Sequence, residues 1–149
     1  MHAHYRNLII MAVFSFIAMY ALMYAMVDSL GNVYANVNQA YMAGLMTASM
    51  LIIELLVMRD MYEHKRANAA ILAGSTIGLI ACFWFIQKQT AVTDTQFLRS
   101  MIPHHAAAIL MCEEAPLSDP EIKTLCERII TSQRSEIDQM TAKLGALKG

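Results

Sequence analysis

The sequence has few charged residues and no excess of either sign. Charged residues make up 15% of its 149 residues and hydrophobic residues 57%, whereas soluble domains average about 25% and about 45–50%. The formal net charge of -1 excludes the basic character that nucleic-acid-binding proteins share, so no nucleic-acid partner is expected. The composition instead predicts a protein whose surface is in contact with membrane lipid.

Cysteine is scarce and forms no sequence motif. The 3 residues, Cys82, Cys112 and Cys126, include no Cys-x-x-Cys pair, which removes the main support for a zinc ribbon or a thioredoxin-like site. Cys112 and Cys126 both fall on apolar helix faces near a predicted turn. In an oxidising compartment they would form a disulfide, and otherwise they are small hydrophobic residues. The sequence leaves both alternatives open.

Signatures of catalysis and of β structure are also missing. The sequence contains no nucleophile–base pair, phosphate-binding loop or nucleotide motif, so we expect a binding protein and not an enzyme. No stretch shows the alternating apolar pattern of a strand, and the chain is therefore predicted to be all-α.

The sequence does contain three long apolar segments, predicted at residues 8–27, 40–58 and 67–86. Each is close to the roughly 20 residues that a helix needs to cross the hydrocarbon core of a bilayer. A secretory signal peptide is the alternative for the first segment, but its apolar stretch is longer than such peptides usually have. We therefore predict a three-span membrane region at residues 1–90, followed by a polar domain at residues 91–149.

Lysine and arginine in the loops predict the orientation of the spans. Arg6 precedes the first segment, and no basic residue lies between the first and the second. The loop between the second and the third carries Arg59, Lys65 and Arg66. Because cytoplasmic loops are enriched in basic residues, we expect the N-terminus in the cytoplasm and residues 91–149 outside it. In a bacterium this means the inner (plasma) membrane, with the polar domain in the periplasm.

The polar domain is predicted to be a hairpin of two helices. Thr93 and Asp94 can cap a first helix that ends near Ala115. Ser118 and Glu121 have the spacing of a capping box for the second helix. A hairpin of this length buries little core alone, so we expect it to pack on the membrane helices, on a copy of itself or on another protein.

Imidazole, thioether and carboxylate groups recur on one broad face of the first hairpin helix. The members of this set are Asp94, Met101, His104, His105 and Met111. Pro103 lacks a backbone donor and is expected to kink the helix. Such a kink would direct the two adjacent histidines into one cavity.

The second hairpin helix places a carboxylate within its apolar stripe. Gln133 and Glu136 fall between apolar positions, and Met140 lies one turn further on. A buried carboxylate is costly unless it is paired or binds a metal. Glu136 has Arg99 and Arg134 as candidate ion-pair partners, but an antiparallel hairpin also brings it opposite the start of the first helix.

This set of side chains suits copper. Thioether sulfur favours Cu(I), and imidazole accepts either Cu(I) or Cu(II). Zinc prefers histidine with thiolates or carboxylates, and ferritin-type di-iron sites need Glu-x-x-His pairs, which the sequence lacks. The predicted copper ligands are Asp94, Met101, His104, His105, Met111, Glu136 and Met140. The alternative is that these methionines and histidines simply belong to the core of the hairpin.

Methionine is abundant, with 13 residues, and it forms stripes in the first two apolar segments. These stripes are Met19, Met23 and Met26, and Met42, Met46 and Met50. Glu54 lies beside the second stripe. We expect the methionines mainly to pack the helices, and a Cu(I) path lined by thioethers is the alternative. Ala73, Gly74 and Gly78 predict a closely packed face on the third segment.

The C-terminal part of the sequence resembles the family called domain of unknown function 305. The residues that carry the resemblance are Phe97-Leu98-Arg99-Ser100-Met101-Ile102-Pro103-His104-His105, Ala108, Met111, Gln133, Glu136, Ile137 and Met140. Members of that family are ferritin-like helical proteins and include CopM-type periplasmic copper binders. The resemblance covers roughly residues 91–145 and implies copper binding through methionine and histidine, in copper tolerance or trafficking. It also implies that the hairpin corresponds to half of a ferritin-like four-helix bundle, since longer members repeat the hairpin.

The sequence thus predicts a membrane-anchored copper-binding protein that acts in copper homeostasis without catalysis. We expect it to be a homo-oligomer or a subunit of a membrane complex. Two alternatives stay open: an accessory or structural subunit of a larger membrane complex, and a small oligomeric metal transporter.

Overall fold

The described part of the chain folds into helices joined by short loops. The computed structural model describes the backbone of residues 2–147 and the side chains of residues 4–147; Met1, Lys148 and Gly149 lie outside the described residues. The α-helices are α1 (His2–Leu22), α2 (Val37–Val57), α3 (Lys65–Lys88), α4 (Asp94–Glu114) and α5 (Pro120–Ala146). No β-strand occurs in this part of the chain, which confirms the all-α prediction.

Three helical segments are long and apolar enough to cross a membrane. They are His4–Met26, Val37–Val57 and Lys65–Lys88, and their bounds lie within a few residues of the predicted segments. Their apolar side chains face outward: Phe14 and Ile77 are each 68% exposed. A surface of this kind is unfavourable in water and favourable against lipid.

The chain divides into two compact units. The first comprises the residues up to Met23 together with Asn38–Thr90, and it contains most of the three apolar helices. The second comprises Tyr24–Val37 together with the residues from Ala91 onward. The loop between α1 and α2 therefore belongs to the same unit as the hairpin, which the sequence did not predict.

In the first unit, α2 approaches its neighbours closely at Gly44. A Cβ atom at this position would lie 3.0 Å from Sγ of Cys82 and 4.0 Å from Cε2 of Phe16. At Gly74 and Gly78, where a closely packed face was predicted, a Cβ atom would have no described neighbour within 4 Å. Among the described glycines of α2 and α3, close approach of another helix is therefore found at Gly44 and not at Gly74 or Gly78.

In the second unit, α4 and α5 form an antiparallel hairpin whose core comes from both helices. The buried members of this core are Ile102, Ala106, Ile109, Ile137 and Leu144. Val27 and Tyr34 from the loop between α1 and α2 pack against the same cluster. The loop therefore supplies part of the apolar cover that a short hairpin lacks.

The start of α5 differs from the prediction by one residue. Oδ1 of Asp119 accepts hydrogen bonds from the backbone N–H groups of Glu121 at 2.8 Å and of Ile122 at 3.1 Å. The capping box predicted for Ser118 and Glu121 is wrong. Pro120 occupies the first helical position, where its missing N–H costs nothing, and this makes Asp119 the N-cap residue.

Pro103 lies inside α4 and leaves a backbone acceptor without its helical donor. The N–H that proline lacks would have bonded the carbonyl of Arg99. Nδ2 of the buried Asn36, from the loop between α1 and α2, donates to that carbonyl at 3.5 Å. The N–H of Val37 donates to Oε1 of Gln96 at 3.0 Å. Polar groups of the loop and of α4 therefore satisfy one another.

A disulfide joins the two hairpin helices near their turn. It links Cys112 and Cys126, which are separated by 14 residues and whose Cα atoms are 5.2 Å apart. Of the two alternatives that the sequence left open for these residues, the structure has the disulfide.

Candidate metal centre

A polar contact between α4 and α5 lies at the centre of the predicted site. Nε2 of His105 is 2.7 Å from Oε2 of Glu136, and Nδ1 is 2.9 Å from the backbone carbonyl oxygen of Met101. His105 is only 8% exposed, whereas Glu136 is half-buried. The imidazole is therefore held at both nitrogens inside the hairpin.

The contacts of His105 determine which nitrogen is available to a metal. A backbone carbonyl can only accept, so Nδ1 carries a proton and donates it to Met101. Nε2 then faces the carboxylate of Glu136. Metal-binding histidines commonly donate their other N–H to a backbone carbonyl, which fixes the orientation of the ring. The arrangement makes Nε2 the candidate ligand atom.

Glu136 is oriented by a second hydrogen bond, on its own helix. Oγ of Ser132 donates to Oε1 of Glu136 at 2.8 Å. The hydrogen bonds from Ser132 and then from His105 lower the pKa of the Glu136 carboxyl below its ordinary value, which keeps it ionised. Arg134 pairs with Glu113 instead, so the alternative ion pair between Arg134 and Glu136 does not form. Sequence reasoning missed Ser132, although its i, i+4 spacing to Glu136 was a usable signal.

Two methionines lie one helical turn from the His105–Glu136 pair. Met101 precedes His105 by one turn of α4, and Met140 follows Glu136 by one turn of α5. Because the helices are antiparallel, these two positions lie at the same level of the hairpin. Both residues are half-buried, and Met140 packs against the hairpin core.

The other predicted ligands are not brought to this pair. His104 is exposed, and its ring centroid lies 6.2 Å from that of His105. The two rings do not enter one cavity, because α4 remains helical through Pro103 and adjacent positions therefore point about 100° apart. Met111 is 52% exposed. Asp94 begins α4 and is exposed, about 16 Å along the helix from His105 at 1.5 Å per residue.

The ionisable groups at this site form a pair and not a larger cluster. Within residues 4–147, no group of three or more His, Cys, Asp or Glu side chains is arranged to hold a metal ion. A structural zinc site takes four such ligands, so this arrangement does not fit one. The two methionines one turn away would add thioethers, which bind soft ions such as Cu(I).

Comparison with known proteins gives two findings. The family described as "Domain of unknown function (DUF305)" matches residues 85–144, which include α4 and most of α5. The uncharacterized protein L153 of Acanthamoeba polyphaga mimivirus is 31% identical over 144 residues, which cover 95% of this chain and 93% of L153. The likeness to L153 therefore extends over the apolar helices as well as the hairpin. No solved structure matches the chain.

Proposed function

This chain belongs to the DUF305 family through its C-terminal hairpin, and on that basis we propose that it is a membrane-anchored copper-binding protein. The hairpin captures the ion for copper homeostasis, trafficking or tolerance, and no catalytic step is required. The observation that carries the proposal is the contact of His105 Nε2 with Glu136 at 2.7 Å, with Nδ1 committed to a backbone carbonyl.

The ligand chemistry around this contact supports copper. His105 offers a nitrogen, Glu136 a charged oxygen, and Met101 and Met140 offer thioether sulfurs one turn away. A copper ion would replace the proton shared by Nε2 and the carboxylate, while the Nδ1–H hydrogen bond to the Met101 carbonyl would remain. Sulfur selects Cu(I), whereas imidazole and carboxylate also accept Cu(II), so both oxidation states have ligands here.

We propose that the hairpin lies outside the cytoplasm, in the periplasm of a bacterium whose inner membrane holds the three apolar helices. The N-terminus then lies in the cytoplasm. The basic residues Arg59, Lys65 and Arg66 support this orientation, because such residues are enriched in cytoplasmic loops. The Cys112–Cys126 disulfide also supports it, because disulfides persist in oxidising compartments. A membrane-impermeant maleimide applied to intact cells after mild reduction should label these cysteines, and labelling only after lysis would reverse the orientation.

The copper site is tested by titrating the purified full-length protein with Cu(I) in competition with a chromogenic Cu(I) chelator. We expect His105→Gln and Glu136→Gln each to weaken binding by about 10–100-fold. Asp138→Asn is the matched control, because Asp138 is an exposed carboxylate on the same helix. Equal copper affinity in the parent and the His105→Gln variant would remove the proposed site.

The thioether ligands are tested by a second comparison. Met101→Leu with Met140→Leu conserves volume and removes both sulfurs. We expect this variant to lose Cu(I) affinity while its Cu(II) affinity changes less, because sulfur selects Cu(I). Single variants at the more distant predicted ligands, Asp94, His104 and Met111, should lose less affinity than His105→Gln.

A further inference from the structure

A groove of about 430 Å³ lies in the first unit, lined by side chains of α1 and α2. Its lining includes the thioethers of Met19, Met46 and Met50 and the carboxylate of Glu54. All four side chains belong to helices that are apolar enough to cross a membrane. Soft sulfur ligands and one carboxylate are therefore gathered in one groove, whose other lining residues are Leu45, Ser49 and Ile53.

The thioethers come from two different helices. Met46 and Met50 occupy successive turns of α2, about 6 Å apart along its axis, and Glu54 follows one turn later. Met19 comes from α1, and its Sδ lies 3.9 Å from Oγ1 of Thr47 on α2, whose hydroxyl donates to the Ala43 carbonyl at 2.8 Å. This contact turns the Met19 sulfur toward α2. The groove thus forms where α1 and α2 pack together, and its methionines do not all belong to one helix.

Glu54 has a polar partner but no cationic one. Its Oε1 accepts a hydrogen bond from the hydroxyl of Tyr62 at 3.2 Å. Burial and the charge of Glu54 raise the pKa of Tyr62, so the hydroxyl remains a neutral donor. Arg59, the nearest basic residue in sequence, contacts Asp60 at 3.7 Å, and no described basic side chain forms an ion pair with Glu54. An ionisable residue in a membrane span commonly marks a functional site.

We propose that this groove binds one soft monovalent cation, Cu(I) or Ag(I), with the sulfurs of Met19, Met46 and Met50 as ligands and Glu54 as the balancing charge. Thioethers are neutral, so one carboxylate and one monovalent ion give a site without net charge. A neutral site is the arrangement that a membrane interior tolerates best. Hard divalent ions prefer about six or more oxygen ligands, whereas the side-chain oxygens that line the groove are those of Glu54 and Ser49. The site is separate from the hairpin site in its residues and goes beyond the proposed function.

The test uses the full-length protein in detergent micelles, in a background that lacks the hairpin site. The background variant combines His105→Gln, Met101→Leu and Met140→Leu. After equilibrium dialysis against Ag(I), bound metal is measured by mass spectrometry. We expect the background variant to retain about one ion per chain, because its groove thioethers are intact. Adding Met46→Leu and Met50→Leu should abolish this retention.

A matched control and a second readout keep the test decisive. Met42→Leu removes a thioether from α2 one turn before Met46, at an exposed position outside the groove lining, and should leave retention unchanged. Retention that survives Met46→Leu with Met50→Leu would overturn the proposal and leave the groove to lipid chains or a second copy. If the variant with Met46→Leu and Met50→Leu fails to fold, Glu54→Gln in the same background is tested in its place. Undiminished Ag(I) retention by Glu54→Gln would also overturn the proposal. X-ray absorption of the Cu(I)-loaded background variant should show sulfur scatterers, and oxygen or nitrogen scatterers alone would also overturn it.

The two sites fail independently in this design. If the background variant binds as much metal as the parent and loses that metal when Met46→Leu and Met50→Leu are added, the hairpin proposal fails and the groove proposal stands. If both sets of substitutions are needed to remove all metal, both sites are supported.

Discussion

Nε2 of His105 and Oε2 of Glu136 lie 2.7 Å apart, although 31 residues separate them in the chain. Nδ1 of His105 donates to a backbone carbonyl, so a contact this short between Nε2 and a carboxylate requires a proton between them. Copper and that proton would occupy the same place. Under the proposed function, we therefore expect copper capture at the hairpin to be coupled to proton release.

Proton release can be measured directly. Copper bound to Nε2, as proposed, would displace the shared proton into solvent, as metal binding to protonated ligands generally does. Isothermal titration of the full-length protein in buffers of different ionisation enthalpy should give a binding heat that varies with the buffer. In Glu136→Gln the shared proton is absent, and the variation should shrink. A binding heat in the parent that does not depend on the buffer would contradict the shared proton.

Acid should destabilise the hairpin through Glu136. Hydrogen bonds from Ser132 and His105 lower the pKa of this carboxyl below its ordinary value of 4.5. The interaction therefore stabilises the folded state fully above that ordinary value, and the stabilisation is lost as the pH falls through the lowered pKa. Between neutral pH and about pH 3, the thermal midpoint measured by circular dichroism should fall further in the parent than in Glu136→Gln. The control Asp138→Asn should show the same pH dependence of the thermal midpoint as the parent. The same pH dependence in Glu136→Gln would show that Glu136 does not contribute to the acid destabilisation.

The N-cap of α5 gives a prediction with a control at the adjacent residue. Asp119→Ala removes the acceptor for two backbone N–H groups and should cost about 1 kcal/mol. Ser118→Ala should change stability by less than about 0.5 kcal/mol, because Ser118 is outside the helix. Hydrogen exchange at the amides of residues 121–123 is the measurement. Faster exchange in Ser118→Ala than in Asp119→Ala would show that Ser118 is the N-cap residue, as the predicted capping box requires.

The elements that the sequence predicts well are those with a strong local signal. Length and apolarity are sufficient to predict the three helices that are long and apolar enough to cross a membrane, and capping residues and apolar periodicity are sufficient to predict the two helices of the hairpin. The distinction between His104 and His105 has no local signal, because both are adjacent to Pro103 and only packing against α5 buries one of them. Which of Ser118 and Asp119 is the N-cap of α5 similarly depends on the helical position that Pro120 occupies.

The packing of the loop between α1 and α2 on the hairpin was not predicted, because it depends on contacts between residues far apart in the chain. Val27, Tyr34 and Asn36 lie in a loop that the sequence marks only as a connection between two spans. Val27 and Tyr34 pack against the core that α4 and α5 share, and Asn36 donates to the carbonyl of Arg99, 63 residues away in the chain. Periodicity and capping rules describe neighbours within one or two turns and carry no information about such pairs.

The contact between this loop and α4 can be tested by a double-mutant cycle. Asn36→Ala leaves the Arg99 carbonyl without a donor and should cost about 1–3 kcal/mol. Pro103→Ala restores the helical N–H that bonds this carbonyl, so Asn36→Ala should cost less in that background, by at least about 0.5 kcal/mol. Part of the cost should persist, because Asn36 Nδ2 also donates to the Tyr34 carbonyl at 3.0 Å. Thermal unfolding of the parent, the two single variants and the double variant gives the four stabilities of the cycle. Strictly additive changes in stability would show that Asn36 and Pro103 act separately.

Gly44 gives the corresponding test for the first unit. A Cβ at this position would lie 3.0 Å from Sγ of Cys82, closer than side chains normally approach, so Gly44→Ala should destabilise the unit by about 1–3 kcal/mol through overpacking. Cys82→Ala removes the obstructing sulfur, and the double variant Gly44→Ala with Cys82→Ala should recover most of the loss. Gly78→Ala is the matched control, because its Cβ would meet no described atom within 4 Å and alanine favours the helix. Thermal denaturation in detergent distinguishes the outcomes. A loss in Gly78→Ala equal to that in Gly44→Ala, or a double variant no more stable than Gly44→Ala, would show that α2 and α3 do not meet at Gly44.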